Sequence, residues 1–127
     1  MKRISQNFSL TDMITESDFF DALSDETRRR ILALLALNGE LCVCELHFAL
    51  DMPQPKVSRH LSVLRDFNLL TMRRDGTWIY YQLNTQMPAW GATIFAALSD
   101  VWKSDENRAQ DNQRLLDMPN RPARCCA

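Results

Sequence analysis

A chain of 127 residues, 46% of them apolar, has material for one domain with a modest core. Lys and Arg number 15 against 16 Asp and Glu, a net charge of -1, which excludes a histone-like polycation and an acidic disordered chain but leaves room for a local basic patch. Only 3 glycines argue against a large loop-rich enzyme, and no apolar run approaches the ~20 residues that span a bilayer. The start Met1-Lys2-Arg3 lacks the apolar stretch of a secretory signal, so the expected address is the cytoplasm, with no membrane association and with the 4 cysteines as reduced thiols.

Residues 1–16 are polar without a clear period and read as a flexible N-terminal arm. Phe19, Phe20, Ala22 and Leu23 make the stretch from Asp18 to Leu23 a short helix with too much aromatic surface to leave in water. A second helix starts at Ser24-Asp25-Glu26, with Ser24 as the cap, carries Ile31, Leu34 and Leu35 on one face, and stops at Asn38-Gly39. Arg28, Arg29 and Arg30 in its first half are open to two readings, solvated side chains or phosphate contacts. A third helix is expected from Cys42 to Leu50, with Val43, Leu46 and Leu50 on one face. Pro53 breaks the pattern, and Pro55 opens a fourth helix running to about Asn68. There Val57, Leu61 and Leu64 face a core, while Lys56, Ser58, Arg59 and Ser62 face out.

Two β-type runs follow, 69–74 and 77–83, joined by Asp75-Gly76, a strong hairpin signal. Pro88 opens a last helix bearing Trp90, Ile94, Phe95, Leu98, Val101 and Trp102. From Lys103 the chain turns polar, so helix is expected to fade and order to be lost from about residue 112. The domain division is an arm over 1–16, a folded unit over 17–104 and a polar, partly disordered tail over 105–127.

Helix, helix, turn, helix, hairpin, helix is the order of a winged helix-turn-helix, mainly α with a small β-hairpin. A major groove ~12 Å wide admits one helix whose outer face carries cations and short hydrogen-bonders. Gln54, Lys56, Ser58, Arg59, His60 and Ser62 supply that face, and Arg73 and Arg74 add charge at the hairpin. From Lys56 to Asp75 the cations Lys56, Arg59, Arg65, Arg73 and Arg74 outweigh Asp66 and Asp75, 5 − 2 = +3 in a chain of net -1. The expected partner is double-stranded DNA. Phe19, Phe20, Trp90, Ile94, Phe95, Leu98, Val101 and Trp102 exceed what so small a core hides, so a second copy is expected to cover the first and last helices. Two reading helices would then stand ~34 Å apart on a palindromic site.

Leu23-Ser24-Asp25-Glu26-Thr27-Arg28, Glu40-Leu41-Cys42-Val43-Cys44-Glu45-Leu46, Gln54-Pro55-Lys56-Val57-Ser58-Arg59-His60-Leu61 and Gly76-Thr77-Trp78-Ile79-Tyr80-Tyr81-Gln82-Leu83 resemble, in order and separation, the ArsR/SmtB family, and most closely its arsenic-responsive repressors. The resemblance covers about residues 18–103. It implies a homodimeric winged-helix repressor of an arsenic-resistance operon that leaves its operator when trivalent arsenic or antimony binds cysteine thiolates. No cofactor is implied for folding.

Cys42 and Cys44 are the candidate ligands, because soft sulfur selects soft ions and a helix start favours thiolate. On an ideal helix, positions i and i+2 stand about 200° apart, so shared capture would require that first turn to distort. Where similar arsenic repressors carry a third cysteine, this chain has His47. The third ligand is an external thiol or hydroxide, Cys125 or Cys126 from the tail, or His47, which suits Zn(II) or Cd(II) better. Cys125-Cys126 also read as incidental thiols and His47 as an ordinary surface side chain. The competing functions are a repressor sensing Cd, Pb, Zn or a thiol oxidant, and a non-regulatory thiol or metal-binding protein. No catalytic constellation is present in the sequence, so an enzyme is not expected.

Overall fold

A computed structural model describes residues 14–122. Among them are six helices, α1 (Glu16–Leu23), α2 (Glu26–Asn38), α3 (Val43–Leu50), α4 (Gln54–Asp66), α5 (Ala89–Lys103) and α6 (Glu106–Leu116), and three strands, β1 (Glu40–Cys42), β2 (Leu70–Asp75) and β3 (Trp78–Leu83). The sheet is antiparallel in the order β1-β3-β2, with Cys42 and Arg73 both opposite Tyr80, one on each side of the central strand. The winged-helix architecture stands as expected.

Local chemistry sets the element ends. The Thr15 hydroxyl accepts the Asp18 N–H at 3.1 Å and starts α1 two residues before the expected Asp18. The cap of α2 is Asp25 and not Ser24: Asp25 Oδ2 accepts the Arg28 N–H at 3.0 Å, while Ser24 closes α1 by donating to the Asp21 carbonyl at 2.7 Å. Gly39 at φ 85° ends α2, and Gly76 at φ 65° turns the hairpin, both in the left-handed region that suits a residue without Cβ. Pro55 lies at the second position of α4, one later than expected.

The core forms where α2, α3 and α4 meet the sheet. Ile31, Leu32, Leu34, Leu35, Leu41, Leu46, Leu50, Leu61, Leu64 and Leu69 are buried in it, each worth on the order of 2 kcal/mol of apolar burial. Val57, Leu61 and Leu64 are the buried face of α4, as the spacing requires.

Two further expectations are corrected. The segment 40–42 is a strand, so the third helix begins at Val43 and Cys42 is its extended N-cap, with φ -90° and ψ 167°. Three residues are too few to show an alternating pattern; only pairing with β3 defines the strand. The polar stretch after Lys103 does not fade: α6 is capped by Asp105, which accepts the Asn107 N–H at 2.8 Å, and it packs on α3 and α2. Its Leu115 is fully buried, and its buried Asp111 meets Arg30 at 2.7 Å and Arg114 at 2.7 Å. An ion-pair network holds this helix, and such a network leaves no hydrophobic period in the sequence.

Candidate nucleic-acid interface and thiol pair

The outer face of α4 follows from the burial of its inner one. Gln54, Lys56, Arg59 and Ser62 are exposed and Ser58 is half-buried. His60 is half-buried as well, and its Nδ1 turns inward to 3.9 Å from Asp25 Oδ2 without a hydrogen bond. Burial, against the pull of Asp25, holds the His60 pKa below its ordinary value.

The two wing arginines differ. Arg73 reaches across β3, with its guanidinium carbon 4.7 Å from the centre of the Tyr80 ring, and donates to both carboxylate oxygens of Glu40 at 2.6 and 2.8 Å. That forked contact, working against a smaller burial cost, raises the Arg73 pKa above its ordinary value. Arg74 is exposed and makes no ion pair among the described residues. The basic surface of this face therefore rests on Lys56, Arg59 and Arg74, with Arg73 already committed within the sheet.

The arginine run of α2 fits neither earlier reading. Arg28 donates to the Ala22 carbonyl at 3.1 Å and the Asp21 carbonyl at 3.0 Å, and Arg29 to the Leu23 carbonyl at 2.7 Å. Both satisfy carbonyls at the C-terminal end of α1, where cations also suit the helix dipole. Arg30 binds Asp111 and the Leu50 carbonyl.

The thiols meet where β1 runs into α3. Cys42 belongs to the strand and Cys44 to the first helical turn, so the helical separation does not apply, and the two Sγ atoms lie 2.6 Å apart as free thiols. Distortion of the helix is therefore not needed for them to share an ion. Burial pushes the Cys42 thiol up to about 12, with the hydrogen bond to Cys44 and the charge of Glu45 acting the same way. The helix-end N–H of Glu45 pulls downward but is outweighed, which corrects the expectation of a favoured thiolate at Cys42.

Glu45, fully buried, takes the Cys42 N–H on one oxygen at 2.9 Å and Arg121 Nε on the other at 2.6 Å. Arg121 thereby ties the chain beyond α6 to the start of α3, a link across 76 residues that no local pattern announces. His47 turns to the other end of α3, its Nδ1 3.3 Å from the Met52 carbonyl. Among the described residues no three His, Cys, Asp or Glu side chains form a metal-holding group. Cys125 and Cys126 lie outside the described residues.

The thiols open on a cavity of about 240 Å³ lined by Cys42, Val43, Cys44, Gln54, Thr77, Trp78 and Ile79. The first residue of α4 and the tip of the wing thus share walls with the sulfurs. Trp78 reads from sequence as an ordinary strand residue; only the sheet register, Asp75 opposite Trp78, brings its ring to this site.

The apolar residues expected at a subunit interface divide into two groups. Phe19, Phe95 and Trp102 are buried in the single chain, whereas Phe20, Trp90 and Val101 are exposed, and Ile94 and Leu98 half-buried.

A winged helix whose fourth helix keeps a polar, basic face exposed, with a thiol pair beside that helix and the wing, has the architecture of a DNA-binding regulator. Residues 25–71 match the family model described as "Bacterial regulatory protein, arsR family". The chain is 47% identical over 118 residues to the arsenic resistance transcriptional regulator ArsR2 of Pseudomonas putida, covering 90% of this chain and 100% of that one. It is 41% identical over 113 residues to ArsR1 of the same organism, covering 89% and 87%. Among solved structures, the AntR antimony-specific transcriptional repressor superposes with a TM-score of 0.57 at 28% identity, over 82% of this chain and 98% of that one. The chain belongs to the ArsR family of bacterial regulatory proteins, whose members are DNA-binding transcriptional repressors and not enzymes. Among the described residues, no helix is long and apolar enough to cross a membrane.

Proposed function

We propose that this protein is the cytoplasmic repressor of an arsenic-resistance operon, released from operator DNA when trivalent arsenic or antimony binds Cys42 and Cys44. The observation that carries the reading is the cavity in which the converged sulfurs share walls with Gln54 of the reading helix and Trp78 of the wing. An occupant there touches both elements that meet DNA. Binding of inducer and binding of operator are then coupled, each weakening the other by the same factor.

The donor set fits the chemistry. Arsenous acid condenses with two thiols, each thiol proton leaving with an arsenic hydroxyl as water, to give a dithiolate with one hydroxyl left. That hydroxyl, an external thiol, or Cys125 or Cys126 fills the third position. Arg121 is tied to Glu45, whose other oxygen holds the Cys42 N–H.

DNA contact rests on Gln54, Lys56, Ser58, Arg59, Ser62 and Arg74, with His60 and Arg73 at its edge. The functional unit is a homodimer formed through the exposed Phe20, Trp90 and Val101 on α1 and α5.

Fluorescence anisotropy on a fragment of the protein's own upstream promoter tests the reading. Stoichiometric arsenite should release the DNA, and Cys42→Ser or Cys44→Ser should bind DNA but not respond. Undiminished DNA binding by the parent protein in excess arsenite would overturn it.

A further inference from the structure

We infer that the cavity between α2, α5 and α6 is a binding site for a small aliphatic carboxylate, its head group held by Arg108 and its carbon end against Leu37 and Trp102. The site is separate from the thiol pair, neither of whose cysteines lines this cavity.

The first observation is a buried cation left without hydrogen bonds. Arg108 on α6 is 8% exposed, and its Nε has no hydrogen-bond partner. Its one ion pair among the described residues is a 3.9 Å approach of Nη1 to the exposed Glu26. A guanidinium taken out of water is stable only when acceptors replace the lost hydration. Asp111 lines the same cavity, but its oxygens are already engaged: Oδ1 accepts from Arg30 and Arg114, and Oδ2 from Arg30. Lys103 adds another cation to the lining, with a 3.8 Å approach to the exposed Asp100 as its ion pair. The cavity therefore carries surplus positive charge.

The second observation is its shape. Its volume of about 30 Å³ exceeds the ~10–15 Å³ that one water needs, which admits a carboxylate head and excludes a bulky polyanion. A guanidinium presents its N–H donors as a planar fork, which matches two carboxylate oxygens better than a spherical halide. Ser99, half-buried one turn before Lys103 on α5, brings a hydroxyl to the same lining. Ala33, Leu34 and Trp102 are buried apolar walls, and Leu37, 48% exposed, carries that wall out toward solvent. At 3.6 residues per turn, Ser99 and Lys103 stand at least about 140° round α5 from Trp90 and Val101. The cavity thus opens away from the surface proposed for the second subunit.

The test uses the full-length protein with sodium acetate, sodium butyrate and sodium chloride at matched ionic strength. The readouts are the side-chain Nε–H resonance of Arg108 and the urea midpoint. Butyrate should move the resonance saturably with a midpoint on the order of 1 mM, and chloride should have no saturable effect. Acetate, two methylenes shorter, should need about tenfold more. Butyrate should also raise the urea midpoint, as binding to the folded state alone requires. Arg108→Gln should lose at least about tenfold in the butyrate affinity read from that rise. Leu37→Ser, at an exposed position, should weaken butyrate about threefold and leave acetate unchanged. Equal responses to chloride and butyrate, or a butyrate effect undiminished in Arg108→Gln, would overturn the inference. An unchanged ratio of butyrate to acetate affinity in Leu37→Ser would overturn it even if Arg108→Gln fails to fold.

Discussion

Cys42 carries two properties that pull against each other in ordinary metal chemistry: it is buried beside a carboxylate, and it is offered as a ligand. Its thiol, pushed up to about 12, holds its proton at neutral pH. A divalent cation such as Cd(II) must expel that proton, so its affinity should rise by about tenfold per pH unit for each proton displaced. Arsenous acid removes the proton as water, and its capture should vary little with pH. Isothermal titration at pH 6, 7 and 8 in buffers of different ionisation enthalpy should show proton release with Cd(II) and almost none with arsenite. No proton release with Cd(II), together with proton uptake on binding arsenite, would mean that the pair starts as thiolates. The arginines make the same point about environment, since side chains of one type serve as helix-end donors at Arg28 and Arg29 and as a network partner at Arg30.

At the scale of elements, the wing and α6 show how charge is allotted. Arg73 is held by Glu40 on the far side of the sheet, whereas Arg74 is free of ion pairs among the described residues. Arg74→Ala should therefore weaken operator binding at all sequences and lower the salt dependence of log K by about one unit, while Arg73→Ala should change that slope by much less. Anisotropy titrations from 50 to 200 mM salt separate the two, and equal slopes would mean that the Glu40 contact opens on DNA. In α6, Asp111→Ala strands Arg30 and Arg114 and should lower stability by about 2–4 kcal/mol, close to the ~2–5 kcal/mol expected of Leu115→Ala. Urea denaturation measures both, and losses under ~0.5 kcal/mol would mean that α6 is dispensable to the fold.

For the whole molecule, the exposed face of α1 and α5 matters most. Val101, 62% exposed, Phe20, 51% exposed, and Trp90, 39% exposed, are the large apolar side chains that α1 and α5 leave exposed. Val101→Asp should shift the protein from dimer to monomer in sedimentation velocity and weaken operator binding at least about tenfold, because one half-site is lost. A parent protein that sediments as a monomer would refute the dimer.

The core face of α4, the Asp75-Gly76 turn and the glycine stop at Gly39 were legible in the sequence because each depends on neighbours within about two helical turns. The two cysteines stood out in the sequence as candidate ligands by their chemistry, but their convergence was not legible, since a helical reading of residues 42–44 sets them apart. Only the pairing of β1 with β3 makes Cys42 extended and brings the sulfurs together. Tertiary structure likewise decided the docking of α6, the tie from Arg121 to Glu45, and the neutralisation of Arg73. These contacts join residues 81, 76 and 33 positions apart. Hydrophobic period and capping are written into local order, whereas an ion pair between distant segments leaves no periodic trace until the chain has folded.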